Sequence, residues 1–257
     1  MEINLDGVCV RYEVMGTGEK EVLLLHGWGA CVEAMAPIYQ FLEQKYKVYV
    51  LDFPGESGKS NPPTIPWGVP EYGEMVKKFM EELKIKYPSV IGHSFGGRVT
   101  IYLASKYPDL FDKIILTDAA GIKPKMTLKS RIRSLKYQCG KWVLTIFVPK
   151  AKRDKVMQSY RDKHSSSDYK ALKSEVMKET FKKVISLDLT DQLEKIIRPT
   201  LLVWGENDKD TPLSMAHIME EKIKDVGLVV LKEAGHFSYL DKSYEYNAII
   251  DSFLGGR

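Results

Sequence analysis

Apolar and polar residues alternate along the first stretch of the chain, with Ile3, Leu5, Val8, Val10, Tyr12 and Val14 on one side of the pattern and Asp6-Gly7 at its centre. Period-two alternation on both sides of an Asp-Gly pair predicts a β-hairpin closed by a tight turn. Apolar runs without alternation follow: Val22 to Leu25, Val48 to Leu51, Ser89 to Ile91, Ile114 to Leu116, Leu201 to Trp204 and Leu228 to Leu231. Such runs suit strands covered on both faces, as in a parallel sheet. Between them, apolar residues recur at helical spacing: Met35, Ile38, Leu42; Val76, Phe79, Met80, Leu83; Phe95, Val99, Leu103; Met215, Met219, Ile223. Strand and helix therefore alternate. The expected class is α/β, with right-handed crossovers building an open, mostly parallel, doubly wound sheet that carries helices on both faces.

The alternation breaks after Asp118, and no convincing buried strand returns before Leu201. This predicts a helical insertion over 121–198 in a core formed by 1–120 and 199–257. Ala120-Gly121 and Arg198-Pro199 are the junctions, because glycine and proline end regular structure. Charge marks the same stretch. The 257 residues carry a formal charge of only +4, yet 18 of the 38 basic and 5 of the 34 acidic side chains fall between Gly121 and Lys183. That stretch is at +13 and the other 194 residues are at −9. The overall balance argues against nucleic-acid binding and against disorder. No apolar run approaches the roughly 18 residues of a spanning helix. The first residues, Met1 to Asp6, lack the basic and apolar regions of a secretory signal. Cys9, Cys31 and Cys139 are odd in number and widely spaced, which suits reduced packing residues and a cytoplasmic location.

The strongest chemical signal is Gly92-His93-Ser94-Phe95-Gly96-Gly97, between an apolar run and a helical pattern. A strand turning sharply into a helix projects Ser94 from the turn and requires small neighbours at 92 and 96; this is the nucleophile elbow. A serine hydroxyl needs a base within hydrogen-bond reach, itself oriented by an acid. Among His26, His93, His164, His217 and His236, the last follows the final apolar run in Ala234-Gly235-His236-Phe237, where a side chain reaches over the carboxyl edge of a sheet. His93 fits a packing role, and His26 fits a brace for its own loop. Asp208, in the loop after Trp204, is the acid expected to orient His236. Asp118 is its main rival, and Glu206 and Asp210 are turn or capping candidates. The chain order Ser94, Asp208, His236 is that of the α/β-hydrolases rather than of chymotrypsin or subtilisin. His26-Gly27-Trp28-Gly29 follows the run Val22 to Leu25. Its Trp28 amide, with that of Phe95, is the natural pair of donors to a developing oxyanion, each worth roughly 3 to 4 kcal/mol.

Taken together, His26-Gly27-Trp28-Gly29, Asp52-Phe53-Pro54-Gly55, the elbow, Asp208 and His236 make the chain resemble an α/β-hydrolase-fold serine hydrolase over nearly its whole length. It is similar to the capped carboxylesterases, including the type that hydrolyses pimeloyl-acyl carrier protein methyl ester. The resemblance implies that 121–198 is a cap over the active site; the expected substrate is a small ester, and no cofactor is expected. One departure is visible: the family's Asp-x-Pro-Gly-x-Gly-x-Ser run is one residue longer here, from Asp52 to Ser60. Haloalkane dehalogenases and epoxide hydrolases of this fold place aspartate at the elbow, so serine argues against both. C-C bond hydrolases and perhydrolases keep serine and stay open, as does a low-turnover ligand-binding receptor. No His-Glu-x-x-His or cysteine-histidine pattern suggests metal. The apolar stretch Trp142 to Val148 reads as the cap's own core. The cations Lys123, Lys125, Lys129, Arg131, Arg133 and Lys136 read first as a solvated face. The sharper expectation is that they attract an anionic or carrier-bound substrate or an anionic membrane surface.

Overall fold

The hairpin forms as the alternation predicts: β1 (Glu2–Leu5) and β2 (Val8–Met15) pair antiparallel. The chain reverses through Asp6 at φ 52° and Gly7 at φ 87°, the left-handed pair that a two-residue hairpin turn requires. This computed structural model describes residues 1–55, 60–123, 135–138, 142, 144–145, 148–149, 152–153, 156–157, 159–160 and 167–255. Six further strands are β3 (Glu21–Leu25), β4 (Lys47–Leu51), β5 (Ser89–His93), β6 (Ile114–Thr117), β7 (Thr200–Gly205) and β8 (Val226–Leu231). They join the hairpin in one eight-stranded sheet of order β1-β2-β4-β3-β5-β6-β7-β8. All pairings from β4 to β8 are parallel, and β2 meets β4 antiparallel.

The unbroken apolar runs are explained by what lies on each face. Leu23, Leu25, Val90, Ile114 and Leu202 point to one side, where they pack with α2 (Val69–Glu82), α3 (Phe95–Lys106) and α6 (Leu213–Lys222). Their neighbours Val22, Leu24, Ile91, Ile115 and Leu201 point to the other, against α1 (Ala36–Leu42) and α7 (Ser243–Gly255). Successive side chains of a strand face opposite ways, so a strand between two helical layers must be apolar at every position. One run departs from this reading. In β8 only Leu231 is fully buried, because the strand lies at the sheet's edge with β7 as its one neighbour.

Among the described residues no strand interrupts the stretch between β6 and β7. It contains α4 (Ser167–Ala171) and α5 (Glu175–Ser186). α5 is capped by Ser174, whose Oγ accepts the Met177 amide at 3.0 Å. The end of this stretch is tied into the main core: Val184, Leu189, Leu193 and Ile196 are buried in the same cluster as α2 and α3. Arg98 of α3, itself buried, donates from Nη1 to the carbonyls of Val184 at 2.9 Å and Leu187 at 2.6 Å. A cation on the last carbonyls of a helix is favourable both as a hydrogen bond and against the helix dipole. Trp142 is not part of an apolar core as expected, being 66% exposed, while Leu144 and Val148 are half-buried. Val143, Ile146, Phe147 and Cys139 lie outside the described residues, as do Lys125, Lys129, Arg131 and Arg133. Lys123 and Lys136 are exposed. Cys9 and Cys31 are free and half-buried.

Candidate active site

Parallel register gathers the carboxyl ends of β3 to β8 along one edge of the sheet, where Leu25 pairs with Gly92 and His93 with Thr117. The loops leaving that edge carry His26 to Trp28, Ser94, Asp118, Asp208 and His236, five segments brought together from across the chain. Ligands in open α/β sheets bind at this edge.

Ser94 stands alone between the last residue of β5 and the first of α3, at φ 50° and ψ −109°. A non-glycine residue held at positive φ costs of order 1–3 kcal/mol and persists only where its surroundings impose it. Here they do. A Cβ at Gly96 would lie 2.0 Å from the Leu25 carbonyl oxygen, and one at Gly92 would lie 2.6 Å from Thr100 Oγ1 and 2.7 Å from the Gly96 oxygen. The obstacles at Gly96 are backbone and cannot rotate away. Gly96→Ala is therefore expected to destabilise the protein by ~3 kcal/mol or more. Thermal unfolding should show a Tm lowered by roughly 6 to 12 °C, and an unchanged Tm would refute this account of the elbow.

His236 connects the two ends of a hydrogen-bonded chain. Its Nε2 is 3.0 Å from Ser94 Oγ, and its Nδ1 is 2.8 Å from Asp208 Oδ2. With Nδ1–H donating to the carboxylate, the Nε2 lone pair faces the serine hydroxyl. Asp208 is held in turn: Oδ1 accepts the amides of Asp210 at 2.8 Å and Thr211 at 2.9 Å, and the Thr211 hydroxyl lies 2.7 Å from Oδ2. Burial opposes the charged form of both members, but their mutual hydrogen bond and charge, with the Thr211 hydrogen bonds to Asp208, outweigh it. The Asp208 carboxyl is held below its usual range, and the His236 imidazole is raised above its own. Thr211 escaped the sequence reading, although Asp-x-x-Thr is the spacing at which an aspartate collects the amides of its own turn.

The rival acids have other duties. Asp118 is fully buried, and its Oδ1 accepts the Gly205 amide at 2.8 Å while Oδ2 accepts the Ser238 amide at 3.1 Å. It ties the end of β6 to β7 and to the loop that carries His236, and burial pushes its carboxyl up to about 7. Glu206 accepts the Glu233 amide at 3.0 Å. Asp210 offers its amide, not its carboxylate, to Asp208. Asp208, Asp210 and His236 hold ligand-type atoms within 4.8 Å of one another, but both Asp208 oxygens and the facing His236 nitrogen are already engaged in the chain described above.

The remaining histidines separate clearly. His26 is buried; its Nδ1 lies 2.7 Å from the Gly27 oxygen and its Nε2 accepts the Phe53 amide at 3.0 Å. Both nitrogens are committed to bracing the glycine loop, and burial lowers the pKa. His217 is on the surface beside Glu220, and His164 lies outside the described residues. His93 is buried behind the elbow, with Nε2 2.9 Å from the His236 carbonyl oxygen.

Phe95 is the first residue of α3, so its amide has no acceptor within the helix. Trp28 lies across from it, with ring centroids 5.3 Å apart. Together with Gly27 they line a cavity of about 280 Å³, whose wall includes Phe95, the residue after Ser94, but neither Ser94 nor His236. Phe53, Tyr72, Leu172 and Met177 supply much of its apolar wall, the last two from the segment between β6 and β7. Among the described lining residues the only charged side chain is Asp168. In the lengthened run after Asp52, residues 56–59 lie outside the described ones, and Ser60 closes it, donating from Oγ to the Asp52 carbonyl at 2.7 Å and accepting the Arg11 amide at 2.8 Å.

Comparison with known proteins agrees with this architecture. The chain is 26% identical over 245 residues to the uncharacterized hydrolase YugF of Bacillus subtilis (strain 168), covering 90% of this chain and 89% of that protein. It is 23% identical over 261 residues to a 2-hydroxy-6-oxononadienedioate/2-hydroxy-6-oxononatrienedioate hydrolase of Pseudomonas sp, covering 93% and 89%. The crystal structure of the enol-lactonase from Burkholderia xenovorans LB400 shares the fold, with a TM-score of 0.75 at 19% identity over 99% of this chain and 100% of that one. A family model described as alpha/beta hydrolase fold matches residues 20–147 and 134–243. With most of its length matched in this way, the chain belongs to the alpha/beta hydrolase fold family.

Proposed function

We propose that the protein is a serine hydrolase that cleaves carboxylic esters through an acyl-enzyme. The observation that carries the reading is the continuous chain from Ser94 Oγ through His236 to Asp208, at 3.0 and 2.8 Å. Ser94 attacks the acyl carbonyl while His236 Nε2 takes its proton. The amides of Phe95 and Trp28 receive the negative oxygen of the tetrahedral intermediate. His236 then returns the proton to the leaving alcohol as the C–O bond breaks. A water deprotonated by His236 attacks the acyl-enzyme, and the acid and Ser94 hydroxyl are released. Residues 121–198 act as a helical cap over this site, and Leu172 and Met177 bring it to the cavity wall.

A fluorophosphonate is expected to label Ser94 stoichiometrically, and the same preparation is expected to turn over p-nitrophenyl esters repeatedly. Labelling with negligible turnover would instead favour a ligand-binding receptor that keeps the triad. Hydrolysis of a C-C bond, which the serine at the elbow leaves open, is the second reading, and the similarity to a hydrolase named for a dioate is what keeps it in view. The ester reading is preferred because the cavity offers an apolar wall and no cation, among its described residues, to hold a second carboxylate.

The cap's excess of positive charge then bears on encounter rather than on the pocket. If it steers anionic or carrier-bound esters, raising salt from 50 to about 500 mM shortens the Debye length roughly threefold. kcat/KM for an anionic ester should fall severalfold while that for a neutral ester holds. Equal responses of the two would remove the steering role.

A further inference from the structure

The buried histidine immediately before Ser94 has no part in the mechanism above, and its surroundings are unusual for a packing residue. His93 ends β5 with its ring 1% exposed. Its Nε2 lies 2.9 Å from the backbone oxygen of His236, a carbonyl that can only accept, so Nε2 carries the proton and donates. Its Nδ1 has no hydrogen-bond partner among the described residues. That side of the ring presses on the glycine loop: a Cβ at Gly27 would lie 3.0 Å from Nδ1 and 3.4 Å from Ser94 Cβ. The ring also packs against His236, Phe237 and Tyr239, with centroids 5.1, 5.2 and 5.0 Å away. One imidazole therefore touches the serine turn, the loop with Trp28 and the loop with His236.

We propose that His93 is a positioning residue: its Nε2–H holds the His236 backbone at the depth where His236 Nε2 meets Ser94 Oγ, while its bare Nδ1 edge sets the spacing to Gly27. The inference rests on Ser94 and His236 acting as described under the proposed function. Packing alone does not account for it, because a hydrocarbon of the same shape would fill the space without leaving a buried nitrogen unpaired. The neutral ring this needs is consistent with its burial, which drives the imidazole down to about 3.

Two substitutions separate hydrogen bond from shape. His93→Gln keeps an N–H donor on a flexible chain; His93→Phe keeps a ring and removes the donor. If His93 positions His236, the Phe variant loses kcat by on the order of 10- to 100-fold. KM should stay within about twofold and fluorophosphonate labelling of Ser94 should slow in parallel, with the Gln variant recovering most of both. A Phe variant as active as the parent, or a Gln variant no better than Phe, overturns the proposal. The unmodified protein gives an independent reading through imidazole ¹⁵N chemical shifts. His93 must be the Nε2–H tautomer and stay neutral from pH 5 to 8; an Nδ1–H or titrating ring cannot make the contact and also overturns it. If Ser94 of the parent resists fluorophosphonate and no ester is turned over, the ester reading fails first. If Ser94 is labelled and turnover is normal but the variants do not differ, only the role of His93 fails.

Discussion

Ser94→Ala is expected to reduce ester turnover by a factor on the order of 10⁶ while Tm stays within ~2 °C of the parent. The substitution removes one oxygen and nothing that holds the turn. Alanine has the same Cβ as serine, so the positive φ at position 94 is imposed as before by Gly92, Gly96 and the packed ends of β5 and α3. What is lost is the oxygen that, in the proposed mechanism, joins His236 to the acyl group. The residual rate should reflect the cavity and the Phe95 and Trp28 amides acting on water alone. The comparison is of turnover of one p-nitrophenyl ester by parent and variant, with far-UV circular dichroism to confirm the fold. Turnover retained within tenfold would exclude Ser94 as the nucleophile.

Asp208→Asn should lower kcat by on the order of 10⁴ for a different reason. An amide in place of the carboxylate can present N–H to His236 Nδ1, which then accepts and leaves Nε2 protonated, the wrong tautomer to take a proton from Ser94. The pH profile gives a second readout with a defined sign. In the parent, burial lowers the His236 pKa, but the hydrogen bond and charge of Asp208 raise it beyond that, to a net value above the usual 6.5. The proposed mechanism needs the neutral imidazole, so kcat/KM should fall as pH drops through this raised value. Without the carboxylate, burial is opposed only by the smaller influence of the Asp118 and Asp210 charges, and the acid limb should move to lower pH. A limb that stays in place or moves up would show that Asp208 is not the partner. Asp118→Asn is the matched control. It disturbs two backbone contacts, at Gly205 and Ser238, and is expected to lower Tm with a much smaller effect on kcat per folded molecule.

Much of this molecule can be read without its structure because the relevant physics is local. An Asp-Gly pair between alternating residues allows little besides a hairpin, and a strand that is apolar at every position must be covered on both faces. Gly92-His93-Ser94-Phe95-Gly96 between a strand and a helix restricts the turn through the glycines on either side of the serine. The edge position of β8 was hidden, because an edge strand in a parallel sheet can be as apolar as a central one and differs only in how many neighbours it has. The exposure of Trp142 was hidden for a similar reason: an apolar side chain states its preference, not its environment.

By itself, then, the sequence determined the strand and helix order, the fold class, the elbow at Ser94 and a short list of histidines and acids at strand ends. Only the tertiary structure shows what each member of that list meets. Asp118 and Asp208 both follow strands in the same sheet and differ by which atoms they meet: backbone amides of Gly205 and Ser238 for one, Nδ1 of His236 for the other. The contact from His93 to the His236 carbonyl spans 143 positions in the chain. No pattern of spacing carries such a contact. It exists because parallel register brings the ends of separate strands to one edge, where direction and distance of a few ångströms decide which groups share a proton.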